Sequence, residues 1–195
     1  MSSQKYQLVV MGASAGGVEA LKTIFSALPV DFSLPIMVVL HRLRDTPGNL
    51  AVVLGRDCPL PVQEAQSDMP FLPGNIYLAP ANYHLLIEAD HSLSLSVEEP
   101  VCHSRPSVDV LFESAALAFG EAVIGVLLTG GNSDGARGLH FIHQAGGFSL
   151  VEDPASAKFY AMPEAALQLF SPDLQCHLSQ IAVQLVCLTE MLKGN

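Results

Sequence analysis

Leu8-Val-Val-Met-Gly-Ala-Ser14-Ala-Gly-Gly-Val-Glu-Ala-Leu21 decides how the rest of the chain is read. Leu8–Met11 is an apolar, strand-like run that stops at a cluster of small residues, Gly12-Ala-Ser-Ala-Gly-Gly17. Beyond it the period changes. Val18, Leu21, Ile24, Phe25 and Leu28 recur at helical spacing until Pro29 closes the helix. Pro35–Leu40 is a second buried strand ending at His41, with a helix expected from about Pro47 through Leu50, Val53 and Leu54. Strand–helix–strand–helix is the signature of a parallel sheet covered on both faces.

The same grammar extends to the C-terminus. Pro106-Ser-Val-Asp109 opens an amphipathic helix through Phe119, and Ala122–Leu128 is a third strong strand followed by Thr129-Gly-Gly-Asn-Ser-Asp-Gly135. A helix with Leu139, Ile142 and His143 on one face follows, closed by Gly146-Gly147. Then come a short strand (Phe148–Val151), a short helix (Pro163–Phe170) and a terminal helix (Leu178–Leu192). Between Pro59 and Pro100 the runs Ile76–Ala79, His84–Glu88 and Leu93–Val97 are parted by turn signals. The predicted fold is α/β: a doubly wound, mostly parallel sheet with helices on both faces and a β-hairpin-rich insertion or antiparallel edge near 60–100. No repeat, linker or low-complexity tract breaks the chain, so a single domain over 1–195 is expected.

Composition narrows the function classes. The chain has 195 residues, half of them hydrophobic, with 9 Lys+Arg against 19 Asp+Glu for a net charge of -10. That apolar content excludes disorder. The acidic surplus argues against nucleic acid, where phosphate neutralisation needs clustered cations, and against anionic membrane surfaces. The longest apolar runs, Leu34–Leu40 and Ala122–Leu128, fall far short of the roughly 20 residues a spanning helix needs. The N-terminus reads as a strand and turn, not a secretory signal. Cys58, Cys102, Cys176 and Cys187 form no C-x-x-C, and are expected to be reduced, mostly buried thiols of a cytoplasmic protein.

Active sites of open α/β sheets lie beyond the carboxyl ends of the strands. Three strands here end towards Ser14, His41 and Asp134, the residue types of a nucleophile, a general base and an orienting acid. Gly12-Ala-Ser14-Ala-Gly16 fits the G-x-S-x-G nucleophile elbow between strand and helix, and the helix start aims free N–H groups at a developing oxyanion. The other reading is a glycine-rich phosphate-binding or merely tight turn. Neither G-x-G-x-x-G nor a P-loop is present. Asp109 and Asp153 rival Asp134 as the acid; Ser107 and Ser133 are nucleophiles on paper without the elbow's small neighbours. Asp134 is preferred because it stands beyond a strong strand. His140 and His143 share a helical face but show no nearby carboxylate or Cys in sequence, so a surface pair is favoured over a metal site. The order Ser, His, Asp differs from the α/β-hydrolase order, so that fold is set aside.

These residues sit within a larger set of motifs. Gly12-Ala-Ser-Ala-Gly-Gly17 with Glu19-Ala-Leu, Pro73-Gly-Asn-Ile-Tyr-Leu-Ala-Pro80, Arg105-Pro-Ser-Val-Asp-Val-Leu-Phe112, Leu127-Leu-Thr-Gly130 with Asp134-Gly-Ala, and Ala161-Met-Pro-Glu-Ala165 run in order along the chain. Together they resemble the catalytic domain of the CheB-type chemotaxis protein-glutamate methylesterases over nearly its whole length. The resemblance implies Ser14 as nucleophile, His41 as base and Asp134 as orienting acid. It further implies backbone N–H groups of Ala15 and Gly131 as the oxyanion hole, with no metal or organic cofactor. The implied reaction is hydrolysis of γ-glutamyl methyl esters on chemoreceptor cytoplasmic helices, releasing methanol; some relatives also deamidate receptor glutamines. A methyltransferase or a separate receiver protein would be a further partner.

Departures qualify that expectation. Many relatives carry Thr where this chain has Ala15, and Gly-Met-Gly-x-Asp where it has Gly130-Gly-Asn-Ser-Asp134. Backbone donors survive both changes. Arg42 and Arg44 offer two cations for docking an acidic receptor segment, or a solvated turn. No receiver domain is expected in these 195 residues. The alternative function is a weak or inactive methylesterase-like domain that serves as a signalling interaction module. A doubly wound nucleotide-binding protein is a third reading, for which no phosphate site is visible.

Overall fold

Leu8–Ala13 forms β1, and all of its residues are buried, as a strand covered on both faces requires. The structure is a computed structural model that describes residues 5–41 and 49–190. β1 leads into α1 (Gly17–Ser26), β2 (Ile36–Leu40) and α2 (Leu50–Gly55). The middle of the chain holds β3 (Val62–Glu64), β4 (Met69–Pro70), β5 (Ile76–Leu78), β6 (His84–Ile87) and β7 (Ser92–Ser96). Next come α3 (Val108–Phe119), a 3-10 turn (Gly120–Ala122), β8 (Val123–Leu127), α4 (Ala136–Gln144) and β9 (Phe148–Glu152). The chain closes with α5 (Ala161–Leu169), β10 (Leu174–Cys176) and α6 (Leu178–Glu190).

The main sheet has seven strands in the order β10-β9-β8-β1-β2-β5-β3, all paired in parallel. β1, α1 and β2 follow the sequence expectation. Within 60–100 the expected hairpin is β6–β7, which with β4 forms a separate antiparallel sheet, whereas β3 and β5 extend the parallel sheet instead. Turn residues report that a chain reverses locally; they carry no information on which sheet its strands then join. β10, a three-residue strand, had no signal of its own.

Two apolar layers sandwich the sheet. One packs α1, α2 and α6 against Val9, Met11, Ala13, Val38 and Leu40. The other packs α3, α4, α5 and the small sheet against Leu8, Val10, Met37 and Val39. Strand side chains alternate between faces. Continuing both strands by one residue therefore directs Ser14 and His41 to the face covered by α3 and α4. Gly12 is the point where α3 comes down onto that face: a Cβ there would lie 2.1 Å from Val108 Cγ1. The glycine of the elbow motif thus serves tertiary approach as well as the turn.

All four cysteines are free, but only Cys176 is buried; Cys58 is half-buried, and Cys102 and Cys187 are exposed. The expectation of mostly buried thiols is corrected. Cys102 sits in a turn closed by the Val101–Ser104 bridge, and Cys187 lies off the buried positions of α6. Arg42, Arg44 and Pro47 lie outside the described residues. Among the described residues no helix is long and apolar enough to cross a membrane.

Candidate active site

The site grows from the carboxyl end of β1. Ala13 pairs with Leu40 in the parallel register, and His41 N donates to Ala13 O at 3.0 Å. Ser14 and His41 are thus the next residues on adjacent strands, which run about 4.8 Å apart. On the other side Ser14 N donates to Thr129 O at 2.9 Å, beyond β8. β1 is where the sheet's winding reverses, the place where α/β folds form their crevice. The chain then turns sharply: Gly17 N donates to Ser14 O at 2.8 Å, and Gly16 caps α1 at φ +79°, a left-handed conformation suited to glycine. Among the described residues neither Ala15 N nor Gly131 N donates to a protein acceptor, whereas Gly130 N is taken by Phe159 O at 2.9 Å.

Asp134 is fully buried, and four donors cage its carboxylate. Oδ2 accepts from His41 Nε2 at 2.7 Å and from Val108 N at 2.8 Å. Oδ1 accepts from Ser107 Oγ at 2.8 Å and from Asp109 N at 3.0 Å. The carboxylate therefore closes the N-terminus of α3, where helical N–H groups lack partners and favour negative charge. Burial alone would raise its pKa. The hydrogen bonds from His41, Asp109 N and Val108 N, with the charge of His41, outweigh burial and lower it. Ser107, set aside in sequence as a rival nucleophile, is instead a buried ligand of this carboxylate and the N-cap of α3. His84 holds it in turn. Its Nδ1 accepts from Ser107 N at 3.2 Å while Nε2 lies 3.2 Å from Glu99 O, which fixes the Nε2–H tautomer.

Asp109, the rival acid, plays the reciprocal part. Its Oδ1 accepts from Gly135 N at 2.9 Å and Gly138 N at 2.7 Å. Asp134 thus caps α3 from the start of α4, while Asp109 caps α4 from the start of α3. Asp109 Oδ2 is buried without a partner among the described residues. Burial, aided by the neighbouring Asp134 charge, raises the Asp109 pKa despite the bonds from Gly138 and Gly135 and the charge of Arg137. A carboxyl with a raised folded pKa favours folding below its unfolded pKa and loses that contribution as pH rises through the folded value. Asp109→Asn keeps the accepting oxygen and removes the charge. Its stability relative to the wild type should increase from about pH 4 to pH 7. Asp109→Ala strands two buried N–H groups and should cost at least about 2 kcal/mol. Urea unfolding of both variants at the two pH values checks this; an Asn variant that loses ground towards pH 7 would contradict the assignment.

A third buried carboxylate steadies the turn that follows Ser14. Glu152, at the end of β9, accepts from Thr129 N at 2.8 Å, and burial raises its pKa against that bond. Thr129 Oγ1 donates to Ala15 O at 3.0 Å, so Glu152 reaches the turn through one residue. The long range of these contacts hid both roles from a sequence reading. Asp153 forms an ordinary turn, accepting from Ala155 N, Ser156 N and Ala157 N, and Ser133 is exposed. His143 does have a carboxylate partner, Asp173 Oδ2 at 3.2 Å, supplied from a distant segment. His140 stacks on Phe170. Cys102, Asp109 and Asp134 bring potential ligand atoms within 4.8 Å of one another. Both Asp134 oxygens are committed to donors, which leaves fewer ligands there than a zinc site uses.

Fold and site together define a doubly wound α/β class with Ser, His and Asp gathered at the strand ends where the sheet reverses. The CheB methylesterase family model matches residues 9–185, and the chain belongs to that family. A Leptospira interrogans protein is 44% identical over 91% of this chain and 92% of its own length. A Carboxydothermus hydrogenoformans relative named protein-glutamate methylesterase/protein-glutamine glutaminase 1 is 41% identical over 92% of this chain and 54% of its own. This chain therefore spans about half of that longer protein. The crystal structure of the Thermotoga maritima CheB methylesterase catalytic domain superimposes with a TM-score of 0.90 at 30% identity, covering 94% of this chain and 98% of that one.

Proposed function

We propose that this chain is a serine esterase that hydrolyses glutamate γ-methyl esters on chemoreceptors, with deamidation of receptor glutamines by the same machinery. The observation that carries the reading is the caged Asp134 carboxylate bonded to His41, itself beside Ser14. A neutral His41 that donates from Nε2 to Asp134 keeps its lone pair on Nδ1, so Nδ1 is the base. Ser14 Oγ attacks the ester carbonyl and its proton passes to Nδ1, while Asp134 stabilises the imidazolium. The tetrahedral oxyanion is held by the N–H groups of Ala15 and Gly131. His41 returns the proton to the departing methoxide, giving methanol. It then takes a proton from water as that water attacks the acyl-enzyme; the acid is released and Ser14 regains its proton. With glutamine the leaving group is ammonia. The chemistry uses only side chains and backbone, in a cytoplasmic setting where receptor helices and their methyltransferase operate.

Methanol release from methylated receptor tests this. The chain should liberate methanol in step with the loss of methyl ester across about pH 6 to 8. Release no faster than in chain-free controls would end the esterase reading.

A further inference from the structure

Two of the most exposed aromatic side chains are consecutive: Phe159 is 43% exposed and Tyr160 60%. Their backbone is not loose. Phe159 N donates to Thr129 Oγ1 at 2.9 Å, and Phe159 O accepts from Gly130 N at 2.9 Å. Met162 N donates to Gly130 O at 3.0 Å, and Met162 is buried so closely beneath Gly130 that a Cβ there would meet its Cε at 2.6 Å. The rings therefore stand on a segment clamped to the two residues that precede Gly131. The same Thr129 accepts the Ser14 N–H.

Lys158 adds a charge beside them. A Cβ on Gly16 would lie 3.1 Å from Lys158 Cβ and 3.3 Å from its Cδ, so the lysine stem crosses the turn two residues after Ser14. Lys158 is exposed and makes no ion pair among the described residues. In a chain with only 9 Lys+Arg, one cation and two rigidly mounted rings at the nucleophile's edge are a concentrated recognition surface. Exposed apolar rings on an ordered backbone gain most when a partner covers them.

We propose that Lys158, Phe159 and Tyr160 determine substrate specificity: the rings cover apolar side chains of the helical segment that carries the ester, and Lys158 pairs with a free carboxylate about one turn away. This rests on the methylesterase reading above. The surface binds a protein segment with acidic and apolar residues close to the esterified glutamate, and it is dispensable for a small ester that lacks such a segment.

The test compares methylated receptor with p-nitrophenyl acetate for wild type, Phe159→Ala/Tyr160→Ala, Lys158→Gln and Lys158→Glu. The double ring variant should lose about tenfold or more in kcat/KM on receptor, mainly through KM. Lys158→Glu should lose more than Lys158→Gln, with a deficit that shrinks as salt rises from about 50 to 500 mM. Turnover of the small ester should stay within about twofold, which also shows that the variants fold. Receptor kinetics unchanged in all variants, or both substrates falling together, would overturn the proposal while leaving the esterase reading in place. A wild type inert on receptor ester would instead overturn that reading, and the proposal with it.

Discussion

Ser14→Ala is expected to lower methyl-ester hydrolysis by about 10^4-fold or more, with the fold unchanged. The size follows from losing the only atom that forms the acyl bond; the N–H groups of Ala15 and Gly131 would still polarise a carbonyl, which leaves a residual rate above the uncatalysed one. Stability should barely move. The Ser14 side chain makes no hydrogen bond among the described residues, and its partners Thr129 O and Gly17 N engage its backbone. Small residues already flank it at Ala13 and Ala15. Kinetics with methylated receptor and a thermal melt decide the matter. Activity above about a tenth of wild type, with an unchanged melting temperature, would show that the nucleophile lies elsewhere.

Asp134→Asn should lower kcat by about 10^4-fold, and unlike Ser14→Ala it should also destabilise the protein. An amide has one accepting atom where the carboxylate has two. Oδ2 faces His41 Nε2 and Val108 N; Oδ1 faces Ser107 Oγ and Asp109 N. Whichever way Asn is turned, its NH2 meets a backbone N–H at the start of α3 that cannot rotate away. One stranded buried N–H costs about 1–3 kcal/mol, and His41 loses the partner that holds its tautomer. The pH dependence has a defined sign. Asp134 is held below the ordinary carboxylate range, so its ionisation favours folding above the unfolded pKa, and that contribution is lost as pH falls through the folded value. The wild type should therefore lose more stability than Asp134→Asn on acidification below about pH 4. Equal acid sensitivity of the two proteins would contradict the caged-carboxylate account.

Much of this arrangement was legible in residue order. The change of period at Gly12–Gly17 predicts a strand, turn and helix, and β1 and α1 follow it. Pro35–Leu40 predicts the neighbouring strand, and the strand ends predict that Ser14 and His41 face one crevice. The acid was harder. Asp109, Asp134 and Asp153 each follow a recognisable turn or helix start, and local patterns rank them only weakly. Their fates diverge through contacts made across the chain: Asp134 is wrapped by α3, Asp109 by α4, and Asp153 by its own turn. The parts that Ser107, Thr129 and Glu152 play left no local trace for the same reason, since each acts on a residue more than twenty positions away.

Residue order alone accounts for the buried parallel strands, the elbow at Ser14 and the placing of Ser14 and His41 each beyond a strand end, because apolar period and turn chemistry operate over a few neighbouring residues. The cage of four donors around Asp134, the exchange of caps between α3 and α4, the joining of β3 and β5 to the main sheet, and the clamped Phe159–Tyr160 rim arise only on folding. Each depends on a buried polar group or strand edge finding its partner through space. In a dry interior an unpaired donor or acceptor costs too much to leave unmatched.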